Sequence, residues 1–167
     1  LENIPYKKEL KDKIWDPILA SGANHGSNKK DIVFDEAGNS YVTGYFNGTI
    51  NFGTNKFTSI NNSNDIFIAK YDKTGKVIWA KQAGGKGNDI SYYITLDIKN
   101  NFYITGSYDS TFSIGSNKLE VNRDIEHFIA KYDKNGKLLW ANKAGIENLF
   151  NNVNINYVAK YDSSGKR

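Results

Sequence analysis

The 167-residue chain contains no cysteine and no methionine, only 2 prolines and 2 histidines. Without cysteine there are no disulfides, no thiolate nucleophile and no cysteine-ligated zinc or iron–sulfur site. The two histidines, His25 and His127, lie far apart with no H-x-x-x-H spacing, so a zinc or catalytic histidine pair has no sequence support. No apolar run approaches the length of a membrane-spanning helix, and the first ten residues, LENIPYKKEL, lack the apolar core of a signal peptide. The absence of methionine, even at position 1, is expected of a mature or excised piece of a longer product. Net charge is +4, but no block of five like charges occurs. Lysines interleave with aspartates, which argues against nucleic-acid binding.

What is present is aromatic and turn-rich. Phe, Trp and Tyr make up 14% of the chain, with 11 Tyr, beside 15 Gly. Aromatic residues suit pleated, half-buried surfaces, and Gly, Asn and Asp suit tight turns. The chain also repeats itself. DIFIAKYDKTGKVIW at 65–79 returns as EHFIAKYDKNGKLLW at 126–140, and a shorter copy, YVAKYDSSGK, occupies 157–166. DEAGNSYVTGYF at 35–46 returns as DIKNNFYITGSY at 97–108. Trp79 to Trp140 is 61 residues, and Gly44 to Gly106 and Asp35 to Asp97 are each 62. A period of that length is a complete supersecondary unit.

One unit reads as four short strands: 30–35, 39–46, 65–72 and 76–83 in the first copy, then 90–97, 101–107, 126–133 and 137–144 in the second. Asp72 to Gly75 and Asp133 to Gly136 are hairpin turns, as are Asp35 to Gly38 and Asp97 to Asn100. In the last, Asn100 replaces Gly38 and tolerates the left-handed region. TINFGTNKFTSI (49–60) and TFSIGSNKLEV (111–121) each predict an extra surface hairpin. In strand 65–72, Ile66 and Ile68 face opposite to Phe67, Ala69 and Tyr71. Apolar residues on both faces require cover on both sides, which two neighbouring blades supply and a two-layer sandwich does not. The expected fold is therefore all-β, a partial β-propeller of four-stranded antiparallel blades.

The string D-x-F-I-A-K-Y-D-x-x-G-x-x-x-W, then A-G-G-x-G-x-D at 83–89, then D-x-x-G/N-N-x-Y-[VI]-T-G, resembles the bacterial β-propeller repeat known as SBBP. The likeness runs from Lys30 to Gly145 and again from Tyr157 to Lys166. It implies a secreted or cell-surface bacterial protein and, by analogy of fold alone, a scaffold or a module binding protein or glycan. The expected organisation is a degenerate outer-strand remnant at 1–29, full blades at 30–83 and 84–145, and the truncated start of a further blade at 146–167. The signature positions are Asp35, Gly38, Gly44, Asp72, Gly75, Trp79, Gly84, Gly85, Asp89, Asp97, Gly106, Asp133, Gly136, Trp140 and Gly165. A closed ring needs at least about four blades. The expected partners are thus the remaining blades of the same chain or further copies of it, with no membrane insertion.

Catalysis is not expected. A unit copied for packing repeats its side chains, whereas an active site is usually built once. Trp79 and Trp140 recur at one position, which favours blade docking over sugar stacking. Asp31, Asp35 and Glu36, or Asp89 and Asp97, form no D-x-[DN]-x-[DN]-G loop. No cofactor is expected; a weak structural calcium at blade edges is the one ion these carboxylates leave open. Gly84 to Gly87 lacks the phosphate-loop spacing and reads as a blade-to-blade turn. The alternative is a fragment of a propeller hydrolase or lyase whose active site lies in residues outside this chain.

Overall fold

A computed structural model describes residues 25–122 and 124–144. The Trp15 remnant, the segment from 145 onward and Gly165 lie outside the described residues. Four strands form the first blade: β1 (His25–Phe34), β2 (Ser40–Asn47), β5 (Asp65–Tyr71) and β6 (Val77–Gly85). They pair antiparallel in the order β1-β2-β5-β6. The second blade repeats this with β7 (Asp89–Leu96), β8 (Phe102–Tyr108), β11 (Glu126–Tyr132) and β12 (Leu138–Lys143), ordered β7-β8-β11-β12. The registers repeat as well: Val42 pairs with Ala69 where Ile104 pairs with Ala130. The chain is an all-β partial propeller, with no α-helix among the described residues.

The same turn closes the first and third strands of both blades. In each, an aspartate carbonyl accepts from the N–H three residues on: Gly38 to Asp35, Gly75 to Asp72, Asn100 to Asp97 and Gly136 to Asp133, at 2.9–3.0 Å. The donors sit at positive φ, from 59° at Asn100 to 86° at Gly75, where glycine or asparagine is least strained. The aspartate side chain locks each turn from inside. Asp72 Oδ1, for example, accepts from the Thr74 and Lys76 N–H groups at 2.8 and 3.0 Å. All four turns lie at one end of the blades, and the β2–β5 and β8–β11 connections lie at the other.

Two expectations are corrected. β1 begins at His25 rather than at Lys30, because pairing with β2 continues past register shifts between His25 and Asn28 and between Lys29 and Asp31. The extra hairpins, β3 (Thr49–Phe52) with β4 (Asn55–Thr58) and β9 (Phe112–Ile114) with β10 (Asn117–Leu119), both exist but are more than surface features. Each buries its first strand: Ile50 and Phe52 in one, Phe112 and Ile114 in the other. β9 also pairs with the end of β6, Gly84 opposite Ser113 and Gly85 opposite Phe112, so it extends the first blade's sheet to six strands.

Strand β5 is buried along its whole length, which the two-sided apolar pattern demands. Ile66 and Ile68 join a core shared by both blades, with Tyr41, Phe102, Ile104, Phe128 and Ala130. Phe67, Ala69 and Tyr71 join a second core on the opposite face, with Val42, Phe46, Ile50 and Phe52. This shared core is the apolar centre of the blade interface.

Candidate functional site

The side chains with the most organised surroundings lie where the blades meet, in two groups at opposite ends of the interface. At the turn end, Lys70 reaches across the first blade's sheet. Its ammonium lies 3.7 Å from Asp35, donates to the Tyr41 hydroxyl at 2.6 Å, and sits 4.5 Å from the Tyr41 ring centre. It also donates to the Lys134 carbonyl in the β11–β12 turn of the second blade, at 3.4 Å. Burial pushes the Lys70 pKa down, and the neighbouring Asp35 charge opposes that shift. The same burial, reinforced by Asp35, raises the Tyr41 hydroxyl to about 12.

Trp79 completes this cluster. Its ring meets Tyr41 edge-on at 6.2 Å and stacks on Phe102 of the second blade at 5.7 Å with a 20° tilt. Phe102 in turn stacks on Tyr132 at 4.8 Å, nearly parallel. Trp79 therefore docks one blade on the next. Its indole N–H is buried and has no hydrogen-bond partner among the described residues.

At the hairpin end, two buried carboxylates, Asp65 at the start of β5 and Asp89 at the start of β7, flank the Gly84–Asn88 segment. Asp89 Oδ2 accepts from the Gly85 N–H at 2.7 Å, while Oδ1 is buried with no hydrogen-bond partner among the described residues. Burial first, then the charges of Asp65 and Asp109, lifts the Asp89 pKa to about 8, although the Gly85 bond pulls it down. Asp65 accepts from Gln82 at 2.6 Å and from the Ile60 N–H at 3.3 Å, and burial raises its pKa also. Gly84 leaves room for Asp65, whose carboxyl carbon lies 2.5 Å from where a Cβ would sit. The turn itself is held from both blades. Asn64 donates to the Asn88 side chain at 3.1 Å, and Asn88 donates to Asp109 at 2.7 Å through its N–H.

Between the two ends, polar contacts fix the angle of the blades. Asp31 accepts from the Ile94 N–H at 3.0 Å. Thr43 donates to Ser91 at 2.9 Å, and Ser91 donates to the Gly44 carbonyl at 3.1 Å. Gly106 faces the Ile90 carbonyl and the Phe128 ring so closely that no side chain fits. The acidic groups seen in the sequence thus separate. Asp31 bridges blades, Asp35 binds Lys70, Glu36 is exposed, and Asp89 and Asp97 lie at opposite ends of β7, about 25 Å apart for its length. Among the described residues no three His, Asp or Glu side chains are grouped to hold a metal ion. His127 packs beside Tyr92, with its pKa lowered by burial.

Tyr41, Lys70, Phe102 and Tyr132 carry more of the interface than the turn residues of the signature. Their signal was present: Tyr41 and Tyr103 hold equivalent places 62 residues apart, beside the two glycines. What periodicity could not supply was that the Tyr, Lys and Trp of one unit form a single cluster.

No protein-family model matches the chain. An uncharacterized WD repeat-containing protein of Acanthamoeba polyphaga mimivirus is 28% identical over 152 residues. The alignment covers 68% of this chain and 11% of the viral protein, so the chain spans about a tenth of that relative. Repeated four-stranded blades, an interface made from recurring residues and this similarity define a propeller-like repeat protein.

Proposed function

We propose that the chain is a non-enzymatic propeller segment that serves as a scaffold and presents its hairpin end to a protein partner. One observation carries the reading: the recurring side chains are consumed by blade-to-blade packing, while the variable ones are left for contact. Ile60 and Ile125, which are 45% and 60% exposed, both sit in the connection leading into the third strand, at the hairpin end of their blades. The printed name of the viral relative, a WD repeat-containing protein, agrees with a propeller architecture. The finer placement, an SBBP-type array on a secreted or surface bacterial protein, rests on the FIAKYD, AGGxGxD and YVTG phrases. In that reading, 30–83 and 84–145 are successive blades, with parts of others at 1–29 and 146–167 of a longer array.

The intact chain should be tested against a phage-displayed peptide library and a glycan array. Saturable peptide binding that is lost in an Ile60→Asp/Ile125→Asp variant supports the proposal. Saturable glycan binding without peptide binding replaces the protein partner with a sugar, and no binding at all leaves an architectural spacer.

A further inference from the structure

A few recurring side chains escape the packing between the blades. The β5–β6 turn and the start of β6 hold Lys73, Lys76 and Ile78. The β11–β12 turn and the start of β12 hold Lys134, Lys137 and Leu139, each 61 residues further on. All four lysines are exposed, and none forms an ion pair among the described residues. Lysine and aspartate interleave along these turns, but the fold sorts them. Asp72 Oδ1 accepts from the Thr74 and Lys76 N–H groups, and Asp133 Oδ1 from those of Asn135 and Lys137, at 2.8–3.0 Å. The aspartates are thus spent on holding the turns, and the lysines are left outside.

A bulge supplies the apolar part of the set. Tyr71 pairs with Val77 and Lys70 with Trp79, which leaves Ile78 out of the ladder. Tyr132 pairs with Leu138 and Lys131 with Trp140, which leaves out Leu139 in the same way. Ile78 is 51% exposed and Leu139 48%. Bulges re-aim side chains, and this one turns a large aliphatic outward two residues after a lysine in both blades. The two sets also adjoin. Lys70 of the first blade donates to the Lys134 carbonyl at 3.4 Å, and Gly136 lies against Trp79 and Lys81. The second turn is therefore seated beside the first.

We propose that the paired β5–β6 and β11–β12 turns form a docking surface for a peptide segment of a partner protein in which acidic and aliphatic residues alternate. The lysines meet its carboxylates, and Ile78 and Leu139 meet its aliphatic side chains. Asp72 and Asp133 select against a continuous polyanion. A nucleic-acid backbone or an anionic membrane sets phosphates against them, whereas a peptide places charge only opposite the lysines. This surface lies at the other end of the blades from Ile60 and Ile125, and it does not rest on the hairpin-end reading.

The test measures anisotropy of a fluorescein-labelled peptide of alternating aspartate and leucine, flanked by glycine and serine, added to the intact chain. Saturable binding that weakens as salt rises is expected. Lys76→Glu/Lys137→Glu and Ile78→Ser/Leu139→Ser should each weaken it about tenfold, because charge and apolar contact are both used. Lys56→Glu/Lys86→Glu makes the same charge change at exposed positions of the hairpin end and should leave binding within about twofold. Circular dichroism melts check that each variant is folded, and every substituted side chain is exposed. No saturable binding, or an equal loss in the hairpin-end variant, overturns the proposal. A loss confined to one of the two turn variants overturns it too. Tighter binding of oligothymidylate or of phosphatidylserine vesicles, lost with the same lysines, also overturns it and assigns the surface to a phosphate polyanion.

Discussion

Two buried ionisable residues, Lys70 and Asp89, mark the ends of the blade interface, and each gives a residue-scale prediction. Lys70 makes its hydrogen bonds to Tyr41 and the Lys134 carbonyl inside the interface. Lys70→Met should cost about 1–3 kcal/mol in urea unfolding, because two acceptors and the Asp35 charge lose their donor. Asp35 keeps its bonds from Asn39, which bounds the loss. Asp89 acts through pH. Its pKa rises from 3.8 to about 8 on folding, so between those values the folded state binds the extra proton. Stability should therefore fall as pH rises through that window, by at most about 1.4 kcal/mol per pH unit, and level off above it. Asp89→Asn keeps an acceptor for the Gly85 N–H without the charge. Thermal melts should show the variant more stable than the parent at pH 8 and no better at pH 4.

The elements were legible where the sequence repeats and where turns have one chemistry. Asp-x-x-Gly marked three turns, and in the fourth Asn100 stood in for glycine at φ 59°. Two-sided apolar character in FIAKY predicted a strand covered on both faces, and β5 is buried at every position. The β9–β6 pairing was not legible, because strand partners set by a crossing segment leave no period. Its only trace was the second glycine of the Gly84–Gly85 pair. A Cβ on Gly85 would run into the Thr111 carbonyl, where β9 meets the edge of β6. Gly85→Ala should cost about 1–3 kcal/mol, the usual penalty of forced overpacking. Hydrogen exchange should localise the damage, with protection lost first at Phe112–Leu119 and kept at β2 and β5. Asp89 and Asp97 show the same limit of sequence proximity: they are eight residues apart, and the strand between them holds them at opposite ends.

Across the molecule, the shared core decides whether the blades behave as one unit or two. Phe102 belongs to the second blade, yet it contacts Tyr41 and Trp79 of the first as well as Tyr132 of its own. A repeat array is a sum of unit stabilities and interface terms, and here the shared core buries Tyr41 of the first blade with Phe102, Tyr108 and Phe128 of the second. Cutting Phe102 to alanine should remove about 3–5 kcal/mol. If the blades are coupled, far-UV circular dichroism and tryptophan fluorescence will shift to one lower denaturant midpoint together. Hydrogen exchange would then rise in β2 and β5 along with β8 and β11. Separate midpoints, with the first blade keeping its original one, would mean that each blade stands alone and that the Trp79–Phe102–Tyr132 stack only orients them.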